Sequence, residues 1–221
     1  MVHIFDVDNT IIKKTSAWHF LREAMNLGVI RFSQIKNLPF ELIKYKLGRI
    51  DIDFIEKAVL HIAGIEKEQL DFTADLCFER RITPNIFTGA ANLIQKAQDR
   101  GEKVVFATSS LYTIVRPLEK FFQANAVLAS ALEFSGGRAT GRLMGNSLFG
   151  QKKKEAVQKW LEENKIHPSE SCCYSDSYTD IPLLNLCGKP VAVNPDRFLK
   201  KEALQCGWEI LYFKNTLGNN R

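Results

Sequence analysis

Val2-His3-Ile4-Phe5-Asp6-Val7-Asp8-Asn9-Thr10 begins as a short, nearly unbroken apolar run and ends in two carboxylates and a turn-forming Asn. A run of this kind reads as a strand covered on both faces, because a half-exposed strand would alternate apolar and polar residues. The same character returns in Lys103-Val104-Val105-Phe106-Ala107, Ala126-Val127-Leu128-Ala129, Ser171-Cys172-Cys173-Tyr174, Val191-Ala192-Val193 and Ile210-Leu211-Tyr212-Phe213. Between these runs the apolar residues take helical spacing: Ala90, Ile94 and Ala97; Leu118, Phe121 and Phe122; Ala156, Val157, Trp160 and Leu161. Strands alternating with helices predict a parallel sheet with helices on both faces, a three-layer α/β core.

Residues 14–84 interrupt this alternation. They carry helical faces (Ala17, Phe20, Leu21 and Ala24; Phe40, Ile43 and Leu47; Phe54, Ile55, Ala58, Val59 and Ile62), punctuated by Pro39, Gly48 and Gly64. The sequence therefore predicts a core built from 1–13 and 85–221, with a helical insert over 14–84 after the first strand and a return linker at Asn85 to Gly89. Glu133 to Gly145, with four glycines among polar residues, reads as a hairpin or flexible loop at the rim of the core.

At 221 residues the chain is long enough to bury a full core without staples. No stretch reaches the roughly 18 apolar residues of a membrane span, and Asp6 and Asp8 sit where a signal peptide needs an apolar core. A cytoplasmic protein with no membrane partner is expected. The five cysteines lack CxxC spacing and an accompanying His pair, so the sequence predicts reduced thiols and neither zinc nor a disulfide framework. A net charge of +5, with one dense run at Lys152-Lys153-Lys154, suits a solvated helix face or a small anionic substrate. No aromatic–basic pattern of a nucleic-acid-binding module accompanies it.

The chemistry-bearing residues lie just past predicted strands, where open α/β sheets form their sites. Asp6 and Asp8 can serve one reaction centre, one attacking and the other handling a proton. Thr108-Ser109-Ser110 follows the second long strand, where a hydroxyl can hold a phosphoryl oxygen beside helix N-terminal amides. Asp176 follows the Ser171 run directly and Asp180 lies four residues on; such hard oxygen ligands suit Mg²⁺. Each element alone reads as readily as a turn or a helix cap.

In combination and in this order they resemble the haloacid dehalogenase superfamily of phosphohydrolases, in its phosphoserine-phosphatase-like branch, where a helical cap follows the first strand of a Rossmann-like core. Asp6-Val7-Asp8-Asn9-Thr10 looks like the first motif, Thr108-Ser109 the second, the Lys run the third, and Asp176 with Asp180 the fourth. Tyr174-Ser175-Asp176-Ser177, Asp180-Ile181-Pro182-Leu183-Leu184, Val193-Asn194-Pro195-Asp196 and Gly207-Trp208-Glu209-Ile210-Leu211 are typical of that branch. The resemblance implies a Mg²⁺-dependent phosphomonoesterase acting through an aspartyl-phosphate. Asp6 would be the nucleophile and Asp8 the general acid–base. Thr108, with Ser109 beside it, would hold a phosphoryl oxygen. Asp6, Asp176 and the carbonyl of Asp8 would ligate the metal, with Asp180 behind them. Among the lysines, Lys153 continues the Ala156, Val157 and Trp160 stripe and is the expected motif lysine, with Lys154 second.

The resemblance also frames the substrate. Phosphoserine phosphatases carry a Glu for the substrate amino group where this chain has Thr15, a cap Arg where an ungapped count places Val59, and two glycines where Ser109 and Ser110 stand. Relatives in the branch also take histidinol phosphate or phosphorylated small alcohols and amines. Trp18, His19, Phe20, Tyr45, Lys46 and Arg49 are cap residues able to meet a leaving group, Arg49 foremost, although Trp18 and Phe20 read first as core and Lys46 and Arg49 as solvated. His3 and His61 read as packing or surface residues. A phosphotransferase or mutase of the same superfamily and a non-catalytic binding module are the alternatives; the chain is expected to be a monomer or homodimer.

Overall fold

The computed structural model describes residues 1–31 and 54–219. The predicted helical face of Phe40, Ile43 and Leu47 and the candidate contacts Tyr45, Lys46 and Arg49 lie outside the described residues.

All six predicted strands form. The chain runs β1 (Val2–Phe5), a helical segment with α1 (Ser16–Asn26), α2 (Phe54–Val59) and α3 (Lys67–Cys77), then α4 (Thr88–Asp99), β2 (Lys103–Leu111), α5 (Tyr112–Phe122) and β3 (Ala126–Ser130). A hairpin follows, β4 (Leu132–Ser135) and β5 (Arg138–Leu143). Then come α6 (Gln151–Glu163), β6 (Ser171–Ser175), α7 (Ile181–Leu184), β7 (Lys189–Val193), α8 (Arg197–Cys206) and β8 (Glu209–Leu211). The main sheet has the order β3-β2-β1-β6-β7-β8 with every neighbouring pair parallel.

Strand alternation sorts the side chains into two cores. Phe5, Val104, Phe106, Cys172, Tyr174, Val191 and Val193 enter one, with Ala90, Ile94 and Ala97 of α4 and Ile114, Leu118 and Phe122 of α5. Val2, Ile4, Val105, Ala107, Cys173 and Ala192 enter the other, with Val157 and Leu161 of α6 and Leu199 and Ala203 of α8. This two-sided burial is why the strands lack polar alternation. β1 lies between β2 and β6, where the strand order reverses, so the crevice for a ligand falls beyond its carboxyl end.

The outgoing and returning chain run side by side at the edge of this crevice. Phe87 N–H donates to the Ile11 carbonyl at 2.8 Å and Lys13 N–H to the Asn85 carbonyl at 2.8 Å. Buried Glu23 of α1 takes Arg80 and Arg81 from the turn after α3, at 3.1 and 2.5 Å, tying together the two ends of the helical segment. The hairpin turns through Gly136-Gly137 at φ of 55° and 77°, the left-handed pair a two-residue turn requires. It docks on the helical segment: Ala139 exchanges backbone hydrogen bonds with Gly64 and Ile65, at 2.8 and 2.9 Å.

Four expectations need correction. Trp18 is not core: it is 41% exposed, whereas Phe20 is buried. Phe121 shares the helical spacing of its stripe yet is 46% exposed, edge-on to Phe78 and Phe122. The second strand does not stop at Ala107 but continues through an irregularity to Leu111. The thiols are not all free: Cys173 and Cys187 form a disulfide with Cα atoms 6.1 Å apart, within the normal range. No linear spacing signals that pair, because α7 and the turn after it bring Cys187 back onto β6.

Candidate active site

Asp6 extends β1 by one ladder bond, its N–H donating to the Tyr174 carbonyl at 2.9 Å. That fixes its backbone between β2 and β6 and places a carboxylate at the switch point. The residue is 5% exposed. Its Oδ1 accepts from Lys153 Nζ at 2.8 Å, and the same ammonium donates to Asp180 Oδ2 at 2.7 Å. Ser175 Oγ donates to that Asp180 oxygen at 2.6 Å. Asp180 Oδ1 is buried and has no hydrogen-bond partner among the described residues.

Lys153 reaches this position because Lys153, Val157 and Leu161 form the buried stripe of α6. Of its neighbours, Lys152 is exposed and pairs with Glu155 at 2.9 Å, while Lys154 is half-buried and makes no described contact with Asp6. The helix begins from Gly150 at φ 55° and ψ −119°, backbone that side-chain-bearing residues enter only with strain. Gly150→Ala is therefore expected to destabilise the fold by about 1–3 kcal/mol, read as a fall in Tm of roughly 2–12 °C. An unchanged melt would show that the loop absorbs the substitution.

Asp8 is anchored at both oxygens. Ser16 N–H donates to Oδ1 at 2.8 Å and Ser110 Oγ to Oδ2 at 2.9 Å. Thr15, at the position of the family's amino-group Glu, caps α1 instead, accepting from Trp18 N–H at 3.2 Å. In β2, Ala107 pairs with Leu128 but Leu111 with Ser130, so Thr108, Ser109 and Ser110 bulge out of the ladder at the site. Bulges commonly re-aim side chains beside active sites. Thr108 is buried and its Oγ1 accepts from Ser110 N–H at 3.1 Å, which leaves its single proton to donate. The Ser109 carbonyl accepts from Ser130 Oγ at 3.0 Å.

Burial and mutual repulsion set the electrostatics. Burial raises the Asp6 carboxyl to about 7, with Lys153 pulling it down and Asp180 and Asp8 pushing it up. Asp176 is raised well above the usual carboxylate range by burial, then by Asp6 and Asp180. Asp8 is raised by burial against the hydrogen bonds of Ser16 and Ser110. Four carboxylates thus share one ammonium. No three His, Cys, Asp or Glu side chains among the described residues form a metal cluster by themselves. The expected set needs only two, Asp6 and Asp176, with the Asp8 carbonyl, which accepts no hydrogen bond among the described residues. The surplus negative charge, the orphaned Asp180 oxygen and an all-oxygen donor set fit a hard divalent cation such as Mg²⁺.

The structure thus brings Lys153 into direct contact with Asp6 and Asp180, with Asp8 and Asp176 in their electrostatic field and Thr108 two residues before Ser110, which anchors Asp8. Arg49 lies outside the described residues. Val59 is 2% exposed in the apolar core. Several residues have contacts at the site that the sequence does not assign to them. Ser16, Ser110 and Ser175 hold the carboxylates, and no linear signal marks a single Ser. Asp196 N–H donates to the Asp176 carbonyl at 2.8 Å while its Oδ2 accepts from Tyr178 N–H at 2.8 Å. Asn194 Nδ2 donates to the Asn9 carbonyl at 3.2 Å, tying the loop after β7 to the first motif. His3 packs below the site, bonded to Tyr174 at 3.0 Å and Glu102 at 2.8 Å.

Residues 4–185 match the model of the haloacid dehalogenase-like hydrolases. The chain belongs to this family. It is 32% identical over 218 residues to a histidinol-phosphatase of Neisseria meningitidis, covering 96% of this chain and 98% of that one. It is 30% identical over 215 residues to phosphoserine phosphatase SerB1 of Mycobacterium tuberculosis, covering 95% and 70%. A solved structure described as a phospho-aspartyl intermediate analogue of phosphoserine phosphatase superposes with a TM-score of 0.74 at 20% identity, covering 98% and 94%. This member of the family is accordingly a hydrolase of the phosphatase type with the three-layer α/β fold. No helix among the described residues is long and apolar enough to cross a membrane.

Proposed function

We propose that the chain hydrolyses a small phosphorylated metabolite through an aspartyl-phosphate on Asp6, with residues 14–84 as a cap over the site. The observation that carries this reading is buried Asp6 held at one oxygen by Lys153, beside a second carboxylate, Asp8, anchored by two donors.

Asp6 attacks phosphorus as the P–O bond to the leaving alcohol breaks, and Asp8 gives its proton to the departing oxygen. Water then attacks the acyl phosphate, Asp8 takes the proton, and phosphate leaves with Asp6 restored. Lys153 holds the Asp6 carboxylate in place and supplies fixed positive charge beside the phosphoryl group. Thr108 donates its remaining proton to a phosphoryl oxygen. Asp6, Asp176 and the Asp8 carbonyl would hold Mg²⁺, which when bound offsets the repulsion between carboxylate and phosphate and neutralises equatorial oxygen charge. Asp180 positions Lys153.

Relatives named phosphoserine phosphatase and histidinol-phosphatase support a substrate class of phosphoserine-like and histidinol-phosphate-like esters, to which amino-alcohol phosphates are added because histidinol is itself an amino alcohol. Thr15 engaged as a helix cap and Val59 buried in apolar core count against phosphoserine, since neither offers charge to an amino acid's headgroup.

The test is phosphate release from a panel of phosphomonoesters including phosphoserine, histidinol phosphate and phosphoethanolamine, with Mg²⁺ and with chelator. Release that needs the metal supports the reading; no release from any ester by folded protein overturns it. An alcohol diverting the phosphoryl group would instead indicate a transferase.

Metal binding has an expected pH sign. With its folded carboxyl raised to about 7, Asp6 holds a proton in the folded state that it lacks when unfolded. Metal-free stability from this group therefore falls as pH rises from about 4 through about 7. Mg²⁺ must displace that proton. Its stabilisation, about 2.7 kcal/mol at one hundred times Kd, is expected in full at pH 8 and to shrink as pH falls below 7. Melts at both pH values, with and without Mg²⁺, check this; equal shifts would contradict it.

A further inference from the structure

We infer that Ser110 is a positioning residue for leaving-group protonation, its hydroxyl fixing the Asp8 carboxyl group and itself oriented by Ser16. The inference rests on the general-acid role given to Asp8 above.

Ser110 Oγ donates to Asp8 Oδ2 at 2.9 Å, and Ser16 Oγ lies 2.6 Å from Ser110 Oγ. A hydroxyl has one proton. With that of Ser110 committed to Asp8, Ser16 must be the donor of the shorter bond. A directed relay therefore runs Ser16 to Ser110 to Asp8, and Ser16 N–H returns to Oδ1 of the same carboxyl at 2.8 Å. Ser16 is fully buried and Ser110 is 9% exposed, so water competes poorly for these bonds and they reinforce one another. The three residues come from the turn after β1, the first residue of α1 and the bulge of β2. One donor on each oxygen fixes the carboxyl plane, and both donors are committed to Asp8.

Protonation of an alkoxide demands narrow geometry in the transition state. A p-nitrophenolate departs as a stable anion and needs that proton far less. Loosening Asp8 should therefore slow alkyl esters selectively, whereas a general loss of structure would slow both.

The experiment compares the alkyl phosphomonoester that the wild type turns over fastest with p-nitrophenyl phosphate, for Ser110→Ala, Ser16→Ala and Asp8→Asn, each checked for folding by a thermal melt. Ser110→Ala is expected to lower kcat on the alkyl ester by about 10- to 100-fold with KM within about twofold. The loss on p-nitrophenyl phosphate should be at least about tenfold smaller. Ser16→Ala should show the same selectivity to a lesser degree, and it decides the matter if Ser110→Ala does not fold. Equal losses on the two esters, or a change confined to KM, alongside a selective Asp8→Asn, would overturn the role of Ser110 and leave the phosphatase reading intact. No wild-type turnover of either ester would overturn both.

Discussion

Asp6→Asn is expected to remove phosphomonoester hydrolysis by roughly 10⁴-fold or more while leaving the metal-free protein at least as stable at pH 8 as the wild type. The loss of activity follows because an amide cannot form the acyl phosphate. The retained stability follows from the charge balance. Four carboxylates meet one ammonium, and burial already makes the Asp6 charge unfavourable enough to raise its carboxyl to about 7. Lys153 keeps Asp180 as a partner at 2.7 Å, so no buried charge is stranded. The activity panel and a thermal melt in chelator check the two halves together. A variant that is inactive and also markedly less stable would mean that Asp6 serves the fold rather than the chemistry; an active variant would remove Asp6 as nucleophile. A site that gains stability when its reacting group is removed is the expected trade-off between activity and stability.

Lys153→Met has the opposite sign in stability. It removes the one ammonium between two buried carboxylates and leaves Asp6 and Asp180 uncompensated. Breaking a buried pair from one side costs about 3–5 kcal/mol, a fall in Tm of roughly 6–20 °C for a chain of this size. The deficit should shrink on acidification. Without the ammonium the Asp6 carboxyl, already raised to about 7 by burial, takes its proton more readily in the folded state than in the unfolded one, so folding gains as pH falls. Activity should drop by about 10²- to 10³-fold, the usual effect of losing one preorganised charge at the reacting centre. Melts at pH 8 and pH 5 and kcat with Mg²⁺ test this. A small destabilisation independent of pH would show that the ammonium does not compensate Asp6 and Asp180.

Much of this protein is legible in linear pattern. The six strands and the helices between them follow from apolar runs and their periods, because burial on both faces of a parallel sheet leaves a continuous apolar signature. That the acids sit at strand ends follows from the same pattern. The spacing of α6 singles out Lys153, since a helix repeats its buried face every three to four residues. Beyond periodicity the sequence loses its grip. Thr108 to Ser110 reads as the end of a strand because nothing linear announces a bulge. Trp18 reads as core because hydrophobicity reports how much surface there is to bury and not whether a neighbour covers it.

The tertiary structure alone decided the contacts between residues far apart in the chain. Lys153 meets Asp6 across 147 residues and Ser110 meets Asp8 across 102. The hairpin's docking on the helical segment and the Cys173–Cys187 link are likewise invisible locally. The reason is physical. Periodicity records which face of an element is buried, a property of a dozen neighbouring residues. A hydrogen bond at 2.8 Å records how separate elements are registered against one another, and that is fixed only when the whole core packs. The sequence by itself therefore determined the elements, the sheet and the types of residue at its carboxyl edge; packing determined which hydroxyl, which oxygen and which ammonium meet there.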